Sequence, residues 1–284
     1  MQWYFCVTGN TLTANVEQGF PDMIRAAVAS AAANTDLRPH MIFDGEACDF
    51  TREMADAGVT VIFRRLSFYA ELEHAQRRLL PGMTQWMATA AGAFLRLDIP
   101  RIELVEDFVL YTDCDVIFLQ NPDLGRFRPT TFAAASQFDL YGHDIRHPSR
   151  QNYAELNSGV MLMNVDRMRK DLPALIDLAC DMLHTIRGYD QGALEQFYMG
   201  QWTPLSPKYN WKPYWPGIDP CARIIHFHGP KPVAALKLLA DRDYRLHDDS
   251  FHEWRGLFLQ NPEAYEFYTN AWSGFLAAGR APGP

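Results

Sequence analysis

Strand-like and helix-like segments alternate through the first half of this 284-residue chain. Such alternation favours an α/β fold, in which a mostly parallel central sheet is flanked by helices. In this half we predict strands at residues 3–8, 41–43, 59–63 and 108–112, and helices at 18–33, 51–57, 68–80 and 84–97. Further along we predict strands at 131–136, 159–164 and 224–228, helices at 166–186 and 189–198, and a helical C-terminal extension over 232–278.

Composition narrows the class of protein. With 48% hydrophobic and 21% charged residues, the chain is expected to fold around a core. The net charge of −8, without a block of Lys and Arg, argues against a nucleic-acid partner. The five cysteines contain no Cys-x-x-Cys pair and indicate free thiols in a reducing compartment. No signal peptide or membrane span is predicted. We therefore expect a cytoplasmic protein, and peripheral membrane association stays open.

Two carboxylates, Asp113 and Asp115, interrupt the apolar run of residues 108–119. Side chains two residues apart on a strand point to one face, and buried carboxylates are costly unless a positive group accompanies them. Oxygen ligands at this spacing suit Mg²⁺ or Mn²⁺. The alternative is a chance Asp-x-Asp turn.

A second polar segment runs from Arg223 to Pro232 and contains His226, His228, Gly229 and Lys231. On a strand the two histidines share a face, and the Gly229 turn lets Lys231 reach the same space. The segment can supply an imidazole to a metal and an ammonium to a phosphate. The alternative is a strand end with solvent-facing histidines.

Two shorter segments carry polar side chains suited to sugar hydroxyls. Asn157 and Ser158 precede an apolar strand, and Gly159 permits close backbone approach. Asp190 and Gln191 begin a predicted helix. Turn chemistry and helix capping are the structural alternatives for these residues.

In this order, the segments resemble the retaining family 8 glycosyltransferases of the GT-A fold, the group of glycogenin, the lipopolysaccharide galactosyltransferases and galactinol synthase. The resemblance covers about residues 93–231. It is carried by Arg96-Leu-Asp-Ile-Pro100, Leu110-Tyr-Thr-Asp-Cys-Asp-Val116, Asn157-Ser-Gly-Val160, Asp190-Gln191, Tyr209-Asn210 and His226-Phe-x-Gly229 with Lys231-Pro232. It implies a Rossmann-like GT-A domain over residues 1–240 and a helical extension over 241–284.

The resemblance also implies roles for individual residues. Asp113, Asp115 and His226 would bind Mn²⁺ or Mg²⁺, with His228 as the alternative ligand. Catalytic roles fall to Gln191, Asp190 and Lys231, whose ammonium neutralises the departing nucleotide. The donor would be held by residues from several segments: Thr8, Gly9, Asn10, Arg96, Asp113, Asn157, Ser158, Asp190, Gly229 and Lys231. The first-strand end, Val7-Thr8-Gly9-Asn10, departs from the family pattern that grips uracil and ribose, so the base stays open, with a UDP-sugar favoured.

We therefore expect a metal-dependent, retaining hexosyltransferase that uses a nucleotide-sugar donor and a carbohydrate, glycolipid or protein acceptor, as in bacterial surface polysaccharide synthesis. The acceptor is expected against residues 138–156 and the C-terminal helices, near Trp202, Trp211, Trp215 and Trp254. A nucleotidyltransferase is an alternative, although residues 8–19 lack the expected Lys or Arg. A non-catalytic carbohydrate-binding protein of degenerate GT-A fold is another, although its metal ligands would be the first residues lost.

Overall fold

The computed structural model describes residues 1–14, 19–83, 86–103, 106–136, 156–186, 188–244 and 251–280. The chain divides into two compact units, each built from separate stretches. Unit 1 comprises Met1–Thr11, Arg38–Thr112 and Leu124–Leu205, and unit 2 comprises Leu12–Leu37, Asp113–Asp123 and Ser206–Pro284. The predicted boundary at residue 240 separates a GT-A domain from a helical extension, which is a different kind of division from these two units, and it stays a prediction.

Unit 1 is built on a seven-stranded sheet. Its strands are β1 Gln2–Thr8, β2 Arg38–Asp44, β3 Thr60–Phe63, β4 Phe108–Thr112, β6 Phe132–Ser136, β7 Leu156–Asn164 and β8 Thr203–Pro204. Across the sheet their order is β3-β2-β1-β4-β7-β6-β8. Four of the neighbouring pairs are parallel, whereas β7 runs antiparallel to both β4 and β6. The mostly parallel sheet flanked by helices is therefore confirmed, and the short strand β8 was not predicted.

The helices of unit 1 complete its core. They are α3 Asp49–Asp56, α4 Tyr69–Leu79, α5 Trp86–Phe94, α6 Val165–Asp181 and α7 Asp190–Tyr198, with a 3-10 helix at Leu95–Arg101. Phe94, Leu97 and Ile99 are fully buried and pack in one cluster with Val109 and Met161 of the sheet. This packing fixes the 3-10 helix, and with it Arg96, against the sheet. A short helix α1, Gly9–Ala14, follows β1 directly.

Unit 2 contains a small antiparallel sheet, β5 Val116–Phe118 with β9 Ile224–His226. Its helices are α2 Phe20–Asn34, α8 Pro232–Ala240, α9 Phe251–Gln260 and α10 Pro262–Arg280, with a 3-10 helix at Pro207–Tyr209. The alanine-rich α2 anchors β5, because Asn34 Nδ2 donates to Phe118 O at 2.8 Å and Phe118 N donates to Ser30 Oγ at 3.0 Å. Helix α10 packs closely on α2: a Cβ at Gly279 would lie 3.2 Å from that of Ala29.

Several predicted boundaries are corrected. The strand predicted at 108–112 is confirmed as β4, but the two aspartates after it do not lie on a strand, because β5 begins only at Val116. The strand predicted at 224–228 ends at His226, and the helix predicted at 166–186 ends at Asp181. Within its described residues, the predicted C-terminal helical region forms three helices, α8, α9 and α10. Among the helices of the described ranges, none is long and apolar enough to cross a membrane.

Candidate metal and donor site

Two carboxylates and one imidazole converge in unit 2. Ligand atoms of Asp113, Asp115 and His226 all lie within 4.8 Å of one another. His226 Nε2 is 3.3 Å from Asp115 Oδ1 and 3.8 Å from Asp113 Oδ2. The pairing of β5 with β9 brings them together, because Val116, which follows Asp115, stands opposite His226. Two carboxylates and an imidazole suit a divalent cation such as Mn²⁺ or Mg²⁺.

Asn210 orients the imidazole of this group. His226 Nδ1 lies 2.9 Å from Asn210 Oδ1, and both residues are buried. The segment is fixed to β9 because Trp211 N donates to Ile224 O at 2.9 Å and His226 N donates to Trp211 O at 2.7 Å. When Nδ1–H is donated to Asn210, the Nε2 lone pair faces the carboxylates, which is how metal-ligating histidines are held. The sequence placed Asn210 in a matching segment but assigned it no role.

Lys231 pairs with one of the candidate ligands. Its ammonium forms an ion pair with Asp115 Oδ2 and donates to Phe227 O at 3.2 Å. Burial alone would raise the pKa of Asp115, but the nearby Lys231 and His226 together hold it well below its usual range. Asp115 is therefore an anion at neutral pH, as a metal ligand must be.

His228 makes different contacts from His226. Its Nδ1 lies 3.1 Å from the Tyr214 hydroxyl, and its ring centroid is 5.5 Å from that of His226. Burial, followed by the charges of His226, Lys212 and Lys231, lowers the pKa of His228 well below its usual value. Of the two histidines, the structure thus brings His226 to both carboxylates. The role of either as a ligand stays a prediction.

Gly229 lies in a tight part of the segment that follows β9. Its φ is +104°, and a Cβ there would approach Leu257 Cδ1 to 2.9 Å and the Tyr265 hydroxyl to 3.5 Å. Both the backbone conformation and the lack of space therefore require glycine. This glycine sets the path of the chain between His226 and Lys231.

Unit 1 gathers the predicted sugar-binding residues around Arg96. Arg96 Nη1 donates to Ser158 O at 2.9 Å and to Ser158 Oγ at 3.0 Å, and Nε lies 3.2 Å from Asp190 Oδ2. The guanidinium also lies 4.6 Å from the ring centroid of Tyr111. Because Arg96 and Asp190 are buried, this ion pair is shielded from solvent. Arg96 thus organises its neighbours, a part that the sequence did not predict.

The amide side chains of the same unit are also held in place. Gln191 Oε1 accepts from Ser158 N at 3.2 Å, and Asn157 Oδ1 accepts from Gly159 N at 3.3 Å. Gln191 stands at the start of α7, directly after Asp190. The structure thereby unites Arg96, Ser158, Asp190 and Gln191 in one hydrogen-bonded and ion-paired group of unit 1.

The end of β1 presents Thr8, Gly9 and Asn10 at the carboxyl edge of the sheet. Thr8 Oγ1 accepts from Thr11 N at 3.1 Å and so caps α1, while Asn10 is exposed. In the neighbouring parallel strand, Asp44 is in register with Thr8. Burial raises the pKa of Asp44 above its ordinary value. Asp44 was not predicted as a site residue. Its position at the carboxyl end of a predicted parallel strand, where ligands bind in α/β sheets, could have indicated it.

Part of the predicted acceptor region falls outside the described residues, namely 138–155. Of the four tryptophans expected near the acceptor, Trp202, Trp211 and Trp215 are buried and Trp254 is partly exposed. Three of them therefore belong to the interior. Trp254 lies over Lys231, 5.4 Å from Nζ to the ring centroid.

Comparison with solved structures identifies the fold: the chain has the GT-A fold of glycosyltransferases. It is similar to the glycosyltransferase GlyE of Streptococcus pneumoniae TIGR4, with a TM-score of 0.58 at 17% identity over 96% of this chain and 63% of that chain. It is also similar to the galactosyltransferase LgtC, solved with donor and acceptor sugar analogs, with a TM-score of 0.58 at 19% identity over 94% of this chain and 99% of that chain.

A sequence match gives a further comparison. The chain is 30% identical over 153 residues to human glucoside xylosyltransferase 1. The matched region covers 49% of this chain and 30% of that protein. The chain thus spans less than a third of that relative. No family model matches the chain. These matches confirm the predicted GT-A fold and the family 8-like resemblance.

Proposed function

We propose that this protein is a metal-dependent glycosyltransferase that moves a hexosyl group from a nucleotide-sugar, with UDP as the favoured nucleotide, to an acceptor hydroxyl with retention. The observation that carries the proposal is the convergence of Asp113, Asp115 and His226, with His226 oriented by Asn210, within a GT-A fold. We place the reaction in the cytoplasm, in the synthesis of a bacterial surface polysaccharide or glycolipid.

The residues of unit 2 would bind the diphosphate of the donor. Asp113, Asp115 and His226 would hold Mn²⁺ or Mg²⁺, which when bound supplies Lewis-acid stabilisation of the leaving diphosphate. Asn210 keeps the imidazole in the tautomer that presents Nε2. Lys231 supplies a positive charge for the departing nucleotide, an electrostatic role that needs no proton transfer. The tight Gly229 conformation carries the backbone from His226 to Lys231.

The residues of unit 1 would bind the sugar. Asp190, held by Arg96, offers a carboxylate to sugar hydroxyls, and Asn157 and Ser158 offer short polar side chains. Gln191 is an amide that accepts a hydrogen bond from Ser158 N, and an amide is a poor covalent nucleophile compared with a carboxylate. An amide at position 191 fits transfer on one face of the sugar. The bond from the anomeric carbon to the acceptor oxygen forms, the bond to the phosphate oxygen breaks, and the phosphate takes the acceptor proton.

Calorimetric titration tests the donor site. UDP, GDP, CDP and ADP are each titrated with and without Mn²⁺ into wild-type protein, Asp115→Ala and the matched control Asp241→Ala, whose carboxylate is exposed in the same unit. We expect Mn²⁺ to tighten the binding of one nucleotide in the wild type and in Asp241→Ala, but not in Asp115→Ala. Absence of nucleotide binding under every condition would remove the basis for the transferase proposal.

Product analysis tests the reaction. Once the nucleotide is known, its sugars are incubated with candidate acceptor glycosides, and the anomeric configuration of the product is read by proton NMR. Retention is expected, and an inverted product contradicts the same-face reaction. Nucleotide binding without transfer would favour the carbohydrate-binding alternative. Formation of a sugar nucleotide from a nucleoside triphosphate and a sugar phosphate would favour a nucleotidyltransferase.

A further inference from the structure

Lys212 is a buried cation that the proposed function does not use. Its exposed fraction is 0%, and within the described residues Nζ has neither a hydrogen-bond partner nor an ion pair. Its neighbour is the Trp215 ring, 4.4 Å from Nζ to the centroid. A buried ammonium without an anion is costly, and an unsatisfied buried group points to a missing partner. Burial lowers the pKa of Lys212 from 10.5 to about 7.

The position of Lys212 connects it to the metal group. Trp211, the preceding residue, is hydrogen-bonded through its backbone to Ile224 and His226. Asn210, one residue earlier, holds the His226 ring. The charge of Lys212 also contributes to lowering the pKa of His228. Lys212 therefore acts electrostatically on His228, two residues after His226.

Once a divalent cation is bound, this part of unit 2 carries an excess of positive charge. Lys231 already pairs with Asp115, whereas Lys212 is a second ammonium that no carboxylate of the described residues accompanies. A divalent cation on the carboxylates adds further positive charge and leaves Lys212 unbalanced. A diphosphate brings the negative charge that the group lacks.

We propose that Lys212 is a positioning residue for the diphosphate of the donor, a buried cation whose counter-ion is the metal-bound ligand rather than a side chain. This inference rests on the proposed function. Lys212 acts at a distance, through the field in a buried environment where charges interact more strongly than in water. It therefore favours the diphosphate-bound state at the expense of the stability of the free protein.

Replacement of Lys212 tests the inference because loss of its charge should stabilise the free protein and, at the same time, weaken the binding of a diphosphate. Lys212→Met keeps the chain length and removes the charge, and Lys212→Arg keeps the charge. Lys208→Met is the matched control, since Lys208 lies in the same segment, also over an aromatic ring, with Nζ 5.0 Å from the Tyr209 centroid, and is partly exposed. Each variant is melted without ligand and then titrated, in the presence of Mn²⁺, with UDP, pyrophosphate and uridine.

We expect Lys212→Met to melt above the wild type, because a costly buried charge is removed. It should bind UDP and pyrophosphate roughly tenfold more weakly, because the diphosphate loses the attraction of that charge. Lys212→Arg and Lys208→Met should bind both ligands within about threefold of the wild type. Wild-type affinity of Lys212→Met for UDP and pyrophosphate would overturn the inference while leaving the proposed function intact. Failure of the wild type to bind either ligand would instead reject the proposed function.

A measurement on the wild type keeps the inference testable if Lys212→Met does not fold. UDP is titrated at pH 8 into Mn²⁺-saturated protein in two buffers of different ionisation enthalpy. Because the anion favours the charged amine, Lys212 should take up a proton on binding. Absence of proton uptake would contradict the inference. Lys208→Met should match the wild type.

The other titratable side chains of this cluster are Asp113, Asp115, His226, His228, Lys231, Tyr214 and Tyr265. The pKa of His228 and that of Asp115 lie below their usual ranges, and burial raises the pKa of both tyrosines. These four groups therefore keep one protonation state near pH 8. Comparison with Lys212→Arg, whose guanidinium stays protonated, separates proton uptake by the remaining three, Asp113, His226 and Lys231, from uptake by Lys212.

Discussion

Substitution of Gly229 by alanine should destabilise unit 2 by more than the free-energy cost of placing an L-residue in this backbone conformation. A left-handed conformation costs an L-residue about 1–2 kcal/mol. The new Cβ would also stand 2.9 Å from Leu257 Cδ1. Leu257 is itself buried, so it has little room to move, and overpacking of this kind costs about 1–3 kcal/mol. We expect a total loss of about 2–5 kcal/mol in the free energy of unfolding.

Gly217 provides the matched control in the same unit. Its φ is +82°, and a Cβ there would meet no atom within 4 Å. Gly217→Ala should therefore lose only the conformational part, about 1–2 kcal/mol. The free energy of unfolding is measured by guanidinium titration, with the slope compared between variants to verify that the same transition is observed.

The difference between the two variants isolates the contact with Leu257. In the double variant Gly229→Ala/Leu257→Ala the contact is gone, so the combined loss should be smaller than the sum of the single losses. Equal losses for Gly229→Ala and Gly217→Ala would refute the steric reasoning. Gly229→Ala should in addition weaken Mn²⁺-dependent nucleotide binding, because Gly229 sets the path from His226 to Lys231.

Three further predictions concern charged and polar groups. Asn210→Ala should weaken Mn²⁺ binding about 10–100-fold, measured by calorimetry, because the His226 ring loses its orientation; unchanged affinity would exclude that role. The unfolding free energy of the wild type should rise by about 2 kcal/mol from pH 7 to pH 9. The reason is that the pKa of Lys212 is about 7 in the folded protein and 10.5 in the unfolded chain, so the unfolded chain binds more protons between these two values. Lys212→Met should lack this rise. Asp190→Asn should cost about 3–5 kcal/mol in denaturant titration, since it leaves Arg96 buried without its carboxylate, whereas the exposed Asp181→Asn should cost at most about 1 kcal/mol.

The fold was largely predictable because its main signals are local. Apolar runs such as that of β1 and the alanine-rich sequence of α2 indicate a strand and a helix without reference to the rest of the chain. The antiparallel direction of β7 and the break after Thr112 depend on partners distant in sequence. The sequence showed that a polar segment follows β4. It did not show that β5, after this segment, pairs with β9 in a separate sheet.

The sequence predicted the motifs of the candidate site, but not which residues lie close together in the fold. The spacing of Asp113 and Asp115 is local, whereas their proximity to His226 follows from the pairing of β5 with β9, which the sequence does not display. Lys212 follows a tryptophan and precedes a proline, and lysine is usually exposed, so no pattern indicated its burial. The pairing of Lys231 with Asp115 likewise appears only once the backbone is known.

The way the two units share the chain bears on how the protein is made. Helix α2, Phe20–Asn34, belongs to the same unit as α10, Pro262–Arg280, and is synthesised about 240 residues earlier. At ordinary rates of translation the ribosome takes tens of seconds or less to supply that partner. Until then the apolar face of α2 has no native cover from α10, and a nascent chain that stalls before residue 262 would present it to chaperones and proteases.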